Sequence, residues 1–184
     1  ADALRTAATE RILCLDGAGG TYLQGCDLTP EDFGGEALDG CNENLCATRP
    51  DIILGMHRTY LDCGADIVET NTFGSTDIVL AEYDLQEHAY SLTRAAAEIA
   101  RKAADEFTAK TPAQPRFVCG SMGPTTKAIS VTGGVTFDQL VNTFREQGRA
   151  LIDGGADYLL LETQQDTRNV KAGLIGIEEL AQEI

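Results

Sequence analysis

Short apolar runs alternate with amphipathic stretches along this chain, and each run ends where polar or glycine residues begin. The runs cover residues 11–15, 66–69, 116–119 and 157–162. Such runs are typical of buried parallel strands. Apolar positions at helical spacing predict helices that begin near residue 49 and cover 78–85, 87–109, 137–153 and 166–184. The pattern therefore predicts four strand–helix units and an α/β fold with parallel strands.

The second and fourth runs repeat one pattern. Gly64-Ala65-Asp66 opens one and Gly155-Ala156-Asp157 opens the other, and they end in Glu69-Thr70 and Glu162-Thr163. A carboxylate at the end of a buried strand must find a partner or face a cleft. In repeated βα folds the site lies at the carboxyl ends of the strands. Four units make half of an eight-stranded barrel, and an open doubly wound sheet is the alternative.

A glycine-rich loop, Asp16-Gly17-Ala18-Gly19-Gly20-Thr21, follows the first run. Glycines let the backbone approach a ligand and present its amides to a cavity. The loop is not the dinucleotide fingerprint, and no phosphate-binding lysine follows it. A tight turn without a ligand is the alternative. The stretch 23–46 is punctuated by glycine and proline and is predicted to be a long irregular loop, a kind that is usually functional.

Charge and composition exclude several classes of function. The net charge is −15 over 184 residues, which argues against nucleic acid and anionic membranes as partners, because both need clustered Lys and Arg. No signal peptide and no membrane-spanning apolar run are recognised, so a cytoplasmic location is expected. Of the six cysteines, only Cys41 and Cys46 are close in sequence, and their spacing matches no common zinc pattern. Free, buried thiols are expected.

Four motifs, taken in order, resemble the homocysteine-binding module of cobalamin-dependent methionine synthase. They are Leu15-Asp16-Gly17-Ala18, Glu69-Thr70-Asn71-Thr72-Phe73-Gly74, Gly123-Pro124-Thr125 and Leu161-Glu162-Thr163. The second motif is the most specific, and betaine– and S-methylmethionine–homocysteine methyltransferases resemble this chain less there. The resemblance covers nearly the whole chain and implies a TIM barrel. Residues 1–184 would then be the N-terminal half of that barrel domain, with its first four strands.

The resemblance implies a methyltransferase that acts on a thiol. Homocysteine would take a methyl group from methylcobalamin to give methionine, and methyltetrahydrofolate would remethylate the cobalamin. In that family zinc is held by three cysteines in later segments that this sequence lacks, so no metal ligand and no catalytic residue is assigned here. Zinc, cobalamin and the folate and cobalamin modules belong to the intact enzyme, and this fragment alone is expected to be inactive. Open sheet edges make a homo-oligomer a further expected state.

The resemblance implies that the role of this chain is to bind the amino-acid part of homocysteine. The residues assigned to it are Asp16 and Glu162 for the α-ammonium group, the amides of Gly17, Ala18, Gly19 and Gly20 for the α-carboxylate, and Asn71 for a further contact. A salt bridge at the rim is the alternative role for Glu162. Glu69 is not assigned to the ligand. Gly19-Gly20 stands where the family commonly has Met-Gly, a departure that a flexible loop could absorb.

Other functions stay open at this stage. One is a non-catalytic fragment of such a barrel, and another is a cobalamin-independent homocysteine S-methyltransferase. An aldolase or lyase on a TIM barrel is a third reading, but it needs a strand-end Lys or His. His57 and His88 both lie in predicted helices, which weakens that reading.

Overall fold

Three parallel strands form the sheet around which the helices pack, in the order β1-β2-β3. The computed structural model describes residues 2–184. The strands are β1 (Ile67–Glu69), β2 (Phe117–Met122) and β3 (Tyr158–Leu161). The α-helices are α1 (Asp2–Glu10), α2 (Gly19–Gln24), α3 (Pro30–Phe33), α4 (Leu45–Thr48), α5 (Pro50–Asp62), α6 (Asp77–Leu80), α7 (Ala89–Lys110), α8 (Phe137–Asp153) and α9 (Thr167–Glu183). Short 3₁₀ helices cover Glu36–Leu38, Asn42–Asn44, Ala81–Tyr83 and Gln86–His88.

The prediction of four strands is not confirmed, because residues 11–15 form no strand. Leu15 makes a single parallel bridge to Ile67 beside β1. The preceding amide, that of Cys14, donates to the Asp66 carboxylate at 2.9 Å instead of to a main-chain carbonyl. A side-chain acceptor at this point ends the regular ladder. The sheet therefore agrees with part of a parallel (β/α) barrel, with three strands and one flanking bridge.

The repeated Gly-Ala-Asp pattern has a structural counterpart before β1 and β3. Gly64 and Gly155 have φ of 104° and 98°, in the region that favours glycine, and each ends the turn after a helix. The Asp157 carboxylate accepts from the Val118 amide at 2.8 Å and pairs with Arg101. In the same way, the Asp66 carboxylate accepts from the Cys14 amide. Each aspartate thus fixes the start of its strand against the preceding segment.

The two faces of the sheet pack against different helices. Val68, Val118, Leu159 and Leu161 pack towards α5, α7, α8 and α9. Ile67, Phe117, Cys119, Tyr158 and Leu160 form the other face, which packs on Ala7 and Leu4 of α1. No element was expected in residues 1–10, which have no long apolar run. Helix α1 gains its packing by covering this second face, a tertiary effect that periodicity does not show.

Other expectations needed correction in the irregular regions. Stretch 23–46 contains three short helices, of which α3 begins at a capping box between Thr29 and Asp32. The helix expected over 78–85 is broken, because α6 ends at Leu80 and Asp84 has a left-handed φ of 57°. Helix α8 has the predicted bounds.

The cysteines are free, but they are not uniformly buried. Cys14 and Cys63 are exposed, Cys26 is half-buried, and Cys41, Cys46 and Cys119 are buried. The expectation of burial is therefore wrong for two of the six. No helix in the described part of the chain is long and apolar enough to cross a membrane.

We expect the chain of residues 1–184 to associate in solution. Strand β3 pairs with β2 alone among residues 2–184, which leaves unpaired amides and carbonyls on its other side. At the opposite edge Ile12 is 96% exposed. Size-exclusion chromatography with light scattering should show a dimer or larger species, and a monodisperse monomer with a cooperative thermal transition would contradict the expectation.

Candidate functional site

A cavity of about 350 Å³ lies at the carboxyl ends of the strands. It is lined by Asp16, Gly17, Ala18, Gly19, Gly20, Asn42, Glu43, Met56, Glu69, Thr70, Asn71, Thr72, Phe73, Ser121 and Glu162. All seven residues assigned to the amino acid from the sequence are in this set, so the fold brings them together. Their contact with a ligand remains a prediction.

Strand register explains why the polar side chains converge. Side chains alternate between the faces of a strand, so Glu69, Ser121 and Glu162 continue the face formed by Ile67, Cys119 and their neighbours. Glu69 lies opposite Cys119, and the Glu162 amide donates to the Met122 carbonyl. Helix α1 covers the apolar part of this face, and the polar part at the carboxyl edge is left to the cavity.

Asp16 is held by the backbone of β1. Both of its carboxylate oxygens lie 3.1 Å from the Glu69 amide, which donates to them. Burial raises the pKa of Asp16 to about 7, and the charges of Glu69 and Glu162 contribute to that rise. Burial and the charge of Glu162 also raise the pKa of Glu69. The cavity therefore concentrates negative charge that a cationic ligand would neutralise.

Glu162 is oriented by neighbours on β2 and on its own loop. The Ser121 hydroxyl donates to one carboxylate oxygen, and the Thr163 hydroxyl lies 3.3 Å from the other. Thr163 has a left-handed φ of 54°, an uncommon conformation for a β-branched residue. Strain of this kind is often found beside functional groups.

The rim salt bridge considered for Glu162 does not form. Between residues 2 and 184, no Lys, Arg or His nitrogen lies within 4.0 Å of the carboxylates of Asp16, Glu69 or Glu162. Charged groups that are partly removed from water need a counter-charge or hydrogen bonds. A ligand cation is one way to supply it.

The glycine-rich loop becomes the start of α2. Gly19 is the first residue of this helix, and the first amides of a helix have no acceptor within it. The Tyr60 hydroxyl donates to the Ala18 carbonyl at 3.1 Å and holds the loop against α5. A Cβ at Gly17 would lie 3.1 Å from the Tyr60 ring, so the close packing there suits glycine.

Asn71 has only part of its side chain available. Its amide nitrogen donates to the Asn42 carbonyl at 2.7 Å and lies 3.5 Å from the Cys46 sulfur. The side-chain oxygen is the group left for a ligand, so Asn71 can accept a hydrogen bond but not donate one.

Sequence reasoning missed several residues that line the cavity. Glu69 was set aside, yet the alternation of side chains along β1 would have placed it with Glu162. Glu43 enters from the 3₁₀ helix Asn42–Asn44 and accepts from the Gly74 amide at 2.8 Å. It could not be found because stretch 23–46 has no strong periodicity.

Gly123 fixes the loops above the cavity relative to each other. Its amide donates to the Phe73 carbonyl at 3.1 Å, and a Cβ at this position would lie 2.5 Å from that same oxygen. Any side chain would force the two loops apart. This contact gives the Gly123-Pro124-Thr125 motif a physical reason beyond the turn itself.

Three other cavities do not bring the sequence-assigned residues together. One of about 480 Å³ adjoins the candidate site through Gly20 and Asn42 and has one carboxylate, Asp27, in its wall. One of about 410 Å³ lies between α6, α7 and α8, on the other side of the Thr72 loop. A fourth, of about 270 Å³, lies under the loops that follow β2 and β3. The candidate site differs from them in that the three carboxylates of Asp16, Glu69 and Glu162 and the glycine-rich loop meet there at the carboxyl ends of the strands.

The residues present do not fit a zinc site. No group of three or more His, Cys, Asp or Glu side chains in the described part of the chain could hold a metal ion. Burial raises the pKa of Cys41 to about 11 and that of Cys46 to about 12. Zinc binds thiolates, so the burial of these two thiols opposes zinc binding there.

We therefore expect the purified chain, free of any tag, to hold no stoichiometric zinc. Metal analysis after dialysis against a weak chelator should find well under one zinc per chain. One tightly held zinc, lost when Cys41 and Cys46 are both changed to Ser, would contradict this expectation.

Known proteins similar to this chain were found by sequence and by structure. The Homocysteine S-methyltransferase family profile matches residues 13–184. The crystal structure of the homocysteine methyltransferase MmuM from Escherichia coli in its metallated form is 25% identical, with a TM-score of 0.77, over 98% of this chain and 62% of that one. Its oxidized form gives 26% identity and a TM-score of 0.77, over 98% of this chain and 61% of that one. This chain thus spans less than two thirds of the length of these structures.

Proposed function

Because this chain belongs to the homocysteine S-methyltransferase family, we propose that its cavity binds the amino-acid end of homocysteine while the thiol is methylated. The observation that carries this proposal is the cavity itself. Asp16, Glu69 and Glu162, which form no salt bridge among residues 2–184, line one part of its wall, and the loop that begins α2 lines another. An amino acid carries one positive and one negative group at a fixed short separation, which matches this pairing.

Each residue has a defined role in the proposal. Asp16 and Glu162 accept hydrogen bonds from the α-ammonium group, and charge-assisted bonds of this kind are among the strong ones. The amides of Gly17, Ala18, Gly19 and Gly20 donate to the α-carboxylate, as helix-start amides do for anions. Asn71 accepts one further bond through its side-chain oxygen. Glu69, which the sequence left out, adds negative charge beside Asp16.

The reaction is transfer of a methyl group to the homocysteine sulfur, giving methionine. This chain's own contribution is to orient the amino acid and to place its side chain away from the carboxylates. Since the cysteines present do not fit zinc, no step of thiol activation is assigned to residues 2–184.

Two types of enzyme, which differ in their methyl donor, are compatible with this proposal. The run Glu69-Thr70-Asn71-Thr72-Phe73-Gly74 favours the cobalamin-dependent methionine synthase type, with folate and cobalamin modules as partners. A cobalamin-independent homocysteine S-methyltransferase is the alternative, and the likeness to the homocysteine methyltransferase MmuM agrees with either methyl donor. Both candidates bind the amino-acid end of homocysteine through the same residues.

Binding calorimetry on the chain under reducing conditions tests the shared part. L-homocysteine and L-methionine should bind, and D-methionine should bind far more weakly because its ammonium and carboxylate cannot both reach their partners. Equal binding of the two methionine enantiomers, or no binding of any of these ligands, would overturn the proposal.

We expect binding to strengthen as the pH rises through 7. Below about 7 the Asp16 carboxyl is protonated and neutral, so an ammonium ligand must displace its proton. The dissociation constant of L-methionine should then fall about tenfold per pH unit below 7 and level off above it. Asp16→Asn should flatten this dependence. A flat profile in the unsubstituted chain would show that Asp16 does not pair with the ligand.

A further inference from the structure

A glutamine on α8 is buried where an apolar residue would pack more easily. Gln147 is 3% exposed and lies on the helix face that carries Phe144, Leu140 and Leu151 into the core. Its side-chain oxygen finds no hydrogen-bond partner among residues 2–184. An unpaired buried acceptor costs stability, so the amide nitrogen must serve a purpose that offsets this cost.

That nitrogen holds the loop that follows β1. It donates to the Thr72 carbonyl at 2.9 Å and lies 3.4 Å from the Ser75 hydroxyl oxygen. The Thr72 carbonyl also accepts from the amide and the hydroxyl of Ser75, both at 3.1 Å. From α7, Thr93 donates to the Ser75 hydroxyl at 2.7 Å. Two helices thus fix one turn beneath the rim.

The same turn is joined to the candidate site by buried hydrogen bonds. The Thr72 hydroxyl donates to the Ser121 carbonyl at 2.7 Å, and the Ser121 amide donates to the Thr70 hydroxyl at 3.1 Å. The two threonine hydroxyls lie 2.6 Å apart. The Ser121 hydroxyl then donates to Glu162. Thr70, Thr72 and Ser121 are each at most 4% exposed, so water is excluded from the bonds among these three residues.

We propose that Gln147 is a positioning residue for the binding of the α-ammonium group. It acts through Thr72 and Ser121 on the Glu162 carboxylate. This inference rests on the proposed function, since it takes Glu162 as the partner of the ammonium group. Without the Gln147 donor, the Thr72 carbonyl keeps only its bonds from Ser75, and the Thr72 hydroxyl holds Ser121 less firmly. The ligand group affected is the ammonium, not the carboxylate held by the α2 amides.

The test compares two ligands that differ only in the ammonium group. Gln147→Met keeps the length of the side chain and removes its amide. In this variant the dissociation constant of L-homocysteine should rise about 5- to 10-fold, as expected for one lost buried hydrogen bond. That of 4-mercaptobutyrate, which lacks the ammonium, should stay within about twofold. Asn142→Ala, an exposed change on the same helix, is the matched control and should alter neither value.

A double substitution separates positioning from loss of folding. In a Glu162→Gln background, Gln147→Met should weaken L-homocysteine binding little further, because its target is already gone. If Gln147→Met does not fold, Gln147→Leu, which also lacks a donor, takes its place. Equal weakening of both ligands, or additive effects in the double variant, would overturn the proposal. Unchanged binding in Glu162→Gln alone would instead overturn the proposed function.

Discussion

Glu162→Gln should weaken the binding of L-homocysteine more than any other single change in the cavity. The substitution keeps the shape of the side chain and its bond with Ser121 but removes the negative charge that faces the ligand ammonium. Loss of a charge-assisted hydrogen bond costs about 2–3 kcal/mol, or roughly 30- to 150-fold in the dissociation constant. In an active enzyme the same factor should appear in the KM for homocysteine.

The control for this prediction is a ligand that lacks the ammonium group. 4-Mercaptobutyrate should bind the Glu162→Gln variant as well as it binds the unsubstituted chain, because it has no ammonium group to lose. The fold should survive, since Glu162 lies at the strand end and is not part of an apolar cluster. Unchanged L-homocysteine binding would show that Glu162 does not bind the ammonium group and has a structural role.

His57→Leu should remove much of the acid sensitivity of the fold. His57 on α5 is fully buried, and neither ring nitrogen has a partner among the described residues. Burial lowers its pKa from 6.5 to about 4. The folded state therefore binds its proton less readily than the unfolded state, and stability is lost as the pH falls from 6.5 to 4. The loss attributable to His57 is about 3 kcal/mol.

Denaturant unfolding at pH 7, 5.5 and 4.5 measures this effect. The leucine variant should equal or exceed the parent in stability at pH 7, because an unpaired buried polar group is replaced by an apolar one. It should also lose less stability on acidification. His88→Leu changes the exposed histidine and is the control for replacing a histidine by leucine. Parallel pH dependences for the parent and His57→Leu would contradict the assignment.

Strong local patterns predicted the larger elements correctly. The apolar stripe of α8 and the repeated Gly-Ala-Asp turns define their elements through local geometry. The prediction of a first strand was not confirmed, because a run of apolar residues does not reveal whether its amides join a hydrogen-bond ladder. Here the Asp66 carboxylate takes the Cys14 amide, and only one bridge forms. Helix α1 was missed because its stability comes from covering the sheet.

In the candidate site, too, local sequence patterns predicted some residues and could not predict others. Asp16, the glycine loop and Glu162 could be named because their motifs are contiguous and each follows an apolar run. Glu43 and Gln147 could not, since both act through contacts across long sequence separations. Glu43 reaches Gly74, and Gln147 reaches Thr72 from a helix whose inner face is mostly apolar. No local pattern distinguishes such residues from their neighbours.

Amide chemical-shift mapping of the chain with L-homocysteine tests the central claim most directly. The claim is that the amino acid occupies the cavity at the carboxyl ends of the strands. The largest shifts should then fall on the amides of Gly17, Ala18, Gly19 and Gly20, with smaller ones at Asn71. Shifts confined to the cavity between α6, α7 and α8, at Ile78, Gln86 and Asn142, would contradict it.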